Sequence, residues 1–346
     1  MKHVMKILII FLVGMTVLSC DRIVDFPAEG SGKVYVNALM TDNGRSRIEI
    51  GVSQPVGSIG NAKPEEVTVI LTADGDDVEL TADAYDPERK IIAYSTDYRF
   101  AAGQKLSLKT FCQGLPDTKS EVVVPAEIPE LQIWRSEVES YKTDLPEQNI
   151  DKLNTLWYFN IRLDEKPEEE SYFGVQIIKR NQFEYSGDVP DYEKEQMENK
   201  AGVVEVADLY VNGSIAENGE LSSLETDMVI DFDGGETVIA KAKERDGYSW
   251  TDAWIEPGKR ILYSSSYNPA LGVNYAIYQY YEYKVRLYRL SSETYSYLRG
   301  RYIIDNSALP VHLGFTPATY TYTNVAGGIG MFGAVTVYES EWTRYE

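Results

Sequence analysis

Lys33-Val-Tyr-Val-Asn-Ala-Leu-Met40, then Thr41-Asp-Asn-Gly44, then Arg45-Ser-Arg-Ile-Glu-Ile-Gly-Val52: two apolar-rich runs flank a cluster of turn residues. The second run alternates polar and apolar side chains, the period of a strand with one buried face. Between the runs, Asn43-Gly44 is the strongest short hairpin signal, because both residue types accept the positive φ that a tight strand reversal needs. The stretch predicts a β-hairpin.

The pattern continues outward from it. Glu66–Thr72, Val78–Thr81, Lys90–Ser95, Lys105–Phe111 and Ser120–Val124 are short strand-like runs with turn residues between them. Strands at that spacing predict an immunoglobulin-like β-sandwich over residues 32–125. Pro125 and Pro129 then interrupt the pattern, since proline cannot donate to a central ladder, and a domain boundary is placed there. A second β-rich domain, 131–346, with one or two short helices, follows. Leu131–Arg135, Leu156–Leu163, Tyr172–Lys179, Asp227–Phe232, Glu236–Lys241 and Arg260–Ser264 are its strand candidates. A polar insertion at about 181–224 carries a helical pattern over Glu193–Lys200. Asn274–Leu290 is the most aromatic stretch. Its later half sets Tyr281, Tyr283, Val285 and Leu287 against Glu282, Lys284, Arg286 and Tyr288, one face buried and one wet. Ser291 and Ser292 can cap a helix over Glu293–Tyr302, and Ala334–Tyr338 reads as a last strand.

Towards the N-terminus, Lys2 and Lys6 precede an uncharged run, Ile7–Leu18, which is too short to span a bilayer. That is the charge and length pattern of a signal peptide, residues 1–19. Val17-Leu18-Ser19-Cys20 resembles a bacterial lipobox, in which Cys20 is acylated and becomes the first residue. Ordinary secretory cleavage near Ser19 is the competing reading, and Val17 suits it poorly. Residues 20–31 read as a lipid-anchored tether, since several acyl chains on one residue hold a protein stably where one does not. No later stretch is apolar for long enough to span, so membrane attachment through Cys20 is the expected tether.

Composition narrows the chemistry. With 33 basic and 54 acidic residues the net charge is −21; cleavage before Cys20 removes Lys2 and Lys6, leaving 31 against 54, or −23. Such a surface repels nucleic acid, whose binding needs Lys and Arg, and as a whole it is a poor partner for anionic lipid. With Cys20 acylated, Cys112 has no disulfide partner, and its strand-like setting reads as a buried structural thiol. His312 is the only histidine after the signal peptide. A Ser-His-Asp triad would have to use it, and its apolar run reads instead as the setting of a packed or surface histidine; a multi-histidine metal site is left without material. The 26 tyrosines fit pleated sheet and equally supply stiff amphipathic recognition surface. Tyr275, Tyr278, Tyr280 and Tyr288 are the candidate ligand or partner surface.

Gly328-Ile-Gly330-Met-Phe-Gly333 matches the dinucleotide pattern G-x-G-x-x-G but lacks the following helix and acidic residue that give it meaning. It reads as room for a bend before the last strand. Asp74–Asp77 and Asp231–Gly235 resemble pieces of calcium loops without the spaced ligands, and read as hairpin turns. No P-loop, zinc spacing or G-x-S-x-G is present. Neither a cofactor, a metal nor catalytic residues are assigned.

The Cys20 start, Lys33–Gly44, the proline pair after the sandwich, the strand-then-helix of Tyr283–Tyr302 and Asn324-Val-Ala-Gly-Gly-Ile-Gly-Met-Phe-Gly333, taken in order, resemble the bacterial lipoproteins of domain-of-unknown-function family 4249. The resemblance implies an outer-membrane lipoprotein and, as partner, a TonB-dependent transporter; it implies no activity and no catalytic residues. The expectation is a non-enzymatic, ligand-binding or accessory protein of the cell envelope. A structural or adhesive subunit of a surface assembly, and a carboxylate-dependent hydrolase, remain the alternatives.

Overall fold

A computed structural model describes residues 32–53, 63–128, 131–145, 150–163, 171–206, 227–241, 249–262, 275–305 and 322–344. The chain is mainly β, with two α-helices among these residues. In the first part the strands are β1 (Lys33–Thr41), β2 (Ser46–Ser53), β3 (Thr68–Ala73), β4 (Asp76–Asp77), β5 (Thr81–Ala82), β6 (Ile91–Thr96), β7 (Lys105–Phe111) and β8 (Thr118–Val123). The second part adds β9 (Leu131–Leu145), β10 (Ile150–Leu163) and β11 (Tyr172–Ser186) before helix α1 (Asp191–Glu198) and β12 (Val204–Val206). It closes with β13 (Asp227–Phe232), β14 (Gly235–Lys241), β15 (Ser249–Leu262), β16 (Ala276–Leu290), helix α2 (Ser292–Asp305) and β17 (Ile329–Glu339).

The opening hairpin forms, with Lys33 opposite Ser53 and Leu39 opposite Arg47, and of Asn43-Gly44 only Gly44 takes a positive φ. Alternation then sends Val34, Val36, Ala38 and Met40 to one face, all fully buried. Opposite them lies a small sheet, β4–β3–β7–β8. Leu71, Leu106, Leu108 and Val122 of that sheet join the β1 residues, Ile48 and Ile50 in one core. Two sheets therefore close over one apolar layer, as in a β-sandwich. Two Asp-Gly pairs make two-residue hairpins with positive φ at both positions: Asp74-Gly75 between β3 and β4, and Asp233-Gly234 between β13 and β14.

The larger sheet crosses the 125–130 boundary. Its order is β13–β14–β11–β16–β17–β1–β2–β6–β5, with β12 beside β11 and a β9–β10–β15 branch meeting β16. The joint is β17, which pairs antiparallel with β16 from Arg286↔Glu339 to Leu290↔Val335 and parallel with β1 from Tyr35↔Ile329 to Thr41↔Val335. Phe332 and Ala334 of this last strand are fully buried in the sandwich core, while Val335 belongs to a second cluster on the other face. Gly327 and Gly328 turn the chain into this strand, and Gly330 and Gly333 lie within it. Gly330 has φ +109° and sits so close to β1 that a Cβ would stand 1.8 Å from the Val36 carbonyl oxygen. At Gly333 a Cβ would stand 2.1 Å from Thr294 Oγ1, so the missing side chain lets α2 rest on the strand. Asn324 completes β17 by donating Nδ2 to Phe332 O at 2.7 Å and accepting from Phe332 N at 2.9 Å.

Several sequence expectations shift in extent. The strand beginning at Tyr172 runs on to Ser186, taking in the first residues assigned to the insertion. The helical pattern there becomes α1, and residues 207–226 lie outside the described ones. β9 and β15 are far longer than the runs that announced them. Ser291 caps α2 as expected, its Oγ accepting from Thr294 N at 3.3 Å. His312 and the signal and tether residues lie outside the described residues.

Candidate functional site

β1 has a second face, and there the molecule is hollow. A cleft of about 330 Å³ lies over Asn37, Leu39 and Thr41. One wall is the β1–β2 turn region, with Asn43, Arg45, Arg47 and Glu49. The facing wall is the Asp231–Phe232–Asp233 hairpin end, and α2 contributes Tyr297, Leu298 and Arg301. Tyr288, Met331, Val335 and Val337 form the floor. Its volume falls within the range of small-ligand pockets, and an apolar floor beneath a charged rim is their usual chemistry.

A polar network buried behind this floor sets its shape. Gln176 and Thr237 are completely buried. Gln176 Nε2 donates to Phe232 O at 2.6 Å and to Thr237 Oγ1 at 2.9 Å, which pins the β13–β14 hairpin over β11. The Tyr288 hydroxyl donates to Asp233 Oδ2 at 2.7 Å and lies 3.0 Å from Gln176 Oε1. Burial, followed by the Asp233 charge, pushes the Tyr288 phenol far above its ordinary range. Arg286 binds Glu339 through Nε and Nη2, both at 2.7 Å to Oε1, and reaches Asp233 at 3.7 Å. Burial works against the Glu339 charge, but Arg286 and Lys284 outweigh it and hold the carboxyl below its usual range.

On the rim, Glu49 receives both Nη groups of Arg89, at 3.0 and 3.1 Å, and Arg47 Nε at 3.4 Å. Its burial is overcome by Arg89, and the carboxyl is again held below its usual value. Tyr35, beside the cleft, is pushed up to about 12 by burial and by its neighbour Tyr297. Among the described residues no group of three His, Cys, Asp or Glu is placed to hold a metal ion.

The four candidate tyrosines do not share one surface. Tyr288 is buried in the cleft floor; the alternation had set it on the wet face of β16, but the β13–β14 hairpin and α2 cover that face. Tyr275 is buried with Val189 and Ile277 against the insertion, where its hydroxyl donates to Glu193 of α1. Tyr278 and Tyr280 are half-buried further along β16, and Arg344 stacks on the Tyr280 ring at 3.9 Å. Eight residues of strand, roughly 26 Å, separate Tyr280 from Tyr288. The cleft residues missed from the sequence, Asn37, Arg45, Asp231 and Arg301, come from distant segments that only the β1–β17 pairing assembles. Cys112 is buried in the sandwich core, with burial the leading cause of its raised thiol pKa.

The family model described as a domain of unknown function, DUF4249, matches residues 22–341. No curated protein matches the chain in sequence.

Proposed function

The chain belongs to the DUF4249 family, and on that footing we propose that it is an outer-membrane lipoprotein, anchored through Cys20, that binds a small ligand non-enzymatically in the cleft over β1. The observation that carries the reading is how the cleft's acids are engaged. Glu49 is tied by Arg89 and Arg47, and Asp233 by Tyr288 and Arg286. Glu49, whose carboxyl Arg89 holds below its usual range, is a poor source of the proton that glycoside hydrolysis asks of one member of its pair. What remains, an apolar floor lined by the Arg45 and Arg301 guanidiniums and the Asp231 carboxylate, suits a compact ligand with an apolar body and charged ends. Among the described residues no helix is long and apolar enough to cross a membrane. The partner best matched to such a role is a TonB-dependent transporter.

The test is a pull-down from detergent-solubilised outer membranes with the tag at the C-terminus. Co-purification of a transporter supports the accessory role and makes its substrate the ligand to titrate. Recovery with copies of itself favours the subunit of a surface assembly. Turnover that disappears in Asp231→Asn would sink the non-enzymatic reading.

A further inference from the structure

The outward face of the small sheet is out of character for so acidic a chain. Its residues form rows across β3, β7 and β8: Ile70, Lys109 and Lys119 share one row, Thr72, Ser107 and Glu121 the next, and Lys105 pairs with Val123 beyond them. Lys109 thus stands directly opposite Lys119, and like charges facing across a ladder weaken the pairing. The fold gains nothing from this arrangement. Ile70, Phe111 and Val123 are large apolar side chains left exposed on the same face, at 38, 39 and 49 %. Among the described residues its acids are Glu121, bound by Lys119 at 2.7 Å, and Asp77 at the β4 edge opposite Thr72, with Glu293 of α2 beside the Lys105 end. The neighbouring acids stand at its margins: Glu65, Glu66 and Asp117 on the loops at one end, and the Asp74–Asp77 hairpin at the other. Cations interleaved with apolar side chains are the chemistry that anionic headgroups select.

Where the chain enters the fold says which anions these are. Gly32 precedes β1, and a Cβ there would touch Leu115 in the β7–β8 turn at 3.4 Å. The entry point is therefore beside the end of β7 that carries Lys109 and Phe111. Eleven residues lie between Cys20 and Gly32, a reach of at most about 40 Å when fully extended. A lipid at Cys20 keeps this end of the sandwich near the bilayer whatever else the protein binds.

We infer that the Lys105–Lys109–Lys119 face of the small sheet lies against an anionic bilayer surface and turns the cleft away from it. This rests on the lipid anchor proposed for Cys20. The layers then stack outward from the lipid as small sheet, sandwich core, β1 with its neighbours, and cleft. The body as a whole is repelled by such a surface, so the face acts by choosing an orientation for a protein already tethered.

The test is lysine footprinting of the full-length gene product, purified from membranes and added to phosphatidylcholine vesicles with or without phosphatidylglycerol. Acylation of Lys105, Lys109 and Lys119 is expected to slow several-fold on the anionic vesicles alone, while Lys194 and Lys200, at the insertion, keep their rates. Unchanged labelling of the three lysines, or equal protection of Lys194 and Lys200, overturns the inference. The intact mass reads the anchor separately: a protein without acyl chains removes the Cys20 reading, and its footprint on the vesicles still decides the face.

Discussion

The two faces of the β1–β17 ribbon look onto different interiors. On one, Val34, Val36, Ala38, Met40, Phe332 and Ala334 enter a layer of aliphatic side chains from both sheets. Its polar content is small, chiefly the Thr110–Thr118 hydroxyl pair at 2.7 Å. On the other, Leu39, Val335 and Val337 meet tyrosines, with the Gln176, Asp233, Arg286 and Glu339 groups interlinked beside them. A strand's period of two lets one pair of strands serve both. The dry side derives its stability from area removed from water. The polar side derives geometry from hydrogen bonds that contribute little net stability but are expensive to leave half made.

The largest effect should come from the ribbon itself. Gly330→Ala forces a Cβ onto the Val36 carbonyl in a backbone conformation that disfavours side chains, and a loss of about 3 kcal/mol or more is expected in urea unfolding. A loss below about 1 kcal/mol would mean that the two interiors do not share this ribbon. Next, Phe332→Ala on the dry side should cost about 3–5 kcal/mol. Tyr288→Phe on the polar side should cost about 1–3 kcal/mol, by leaving Asp233 and Gln176 short of a donor. The reverse ranking would break the contrast.

Acid should separate the sides further. The Glu49 and Glu339 carboxyls lie below the ordinary value of 4.5 in the folded chain. Their contribution is therefore complete above about 4.5 and lost as pH falls through their folded values. Arg286→Met, by relaxing Glu339, should flatten the decline in thermal midpoint measured from pH 5 downwards. The smallest effect is alkaline. The Tyr35 phenol is raised from 10.0 to about 12, so its contribution is whole below pH 10 and disappears as pH climbs through 12. In Tyr35→Phe, the thermal midpoint should fall less between pH 10 and 12.

Local features were legible in the sequence and partnerships were not. β7 was bounded correctly as Lys105–Phe111, and β13 as Asp227–Phe232, because alternation and turn residues are written into a few neighbouring positions. Periodicity says that Val34 and Val36 share a face; it does not say that β17 lies beside them. That pairing joins residues from opposite ends of the chain, so the cleft it builds could not be read in advance. Tyr288 went to the wet face for the same reason: its cover comes from the β13–β14 hairpin and α2. The glycines were read as room for a bend, and the reason for two of them is closer contact, with Val36 at Gly330 and with Thr294 at Gly333.

The parallel β1–β17 ladder also sets a timetable. Tyr35 finds its partner only when Ile329 has been made and delivered, so the first strand to emerge from a ribosome or a translocation channel waits for nearly the last. Until then the sandwich lacks Phe332 and Ala334, and the sheet cannot join its two halves. Such delayed, long-range closure makes folding slow. On the export route proposed for this chain, which would take it through a membrane unfolded, late completion would keep it threadable.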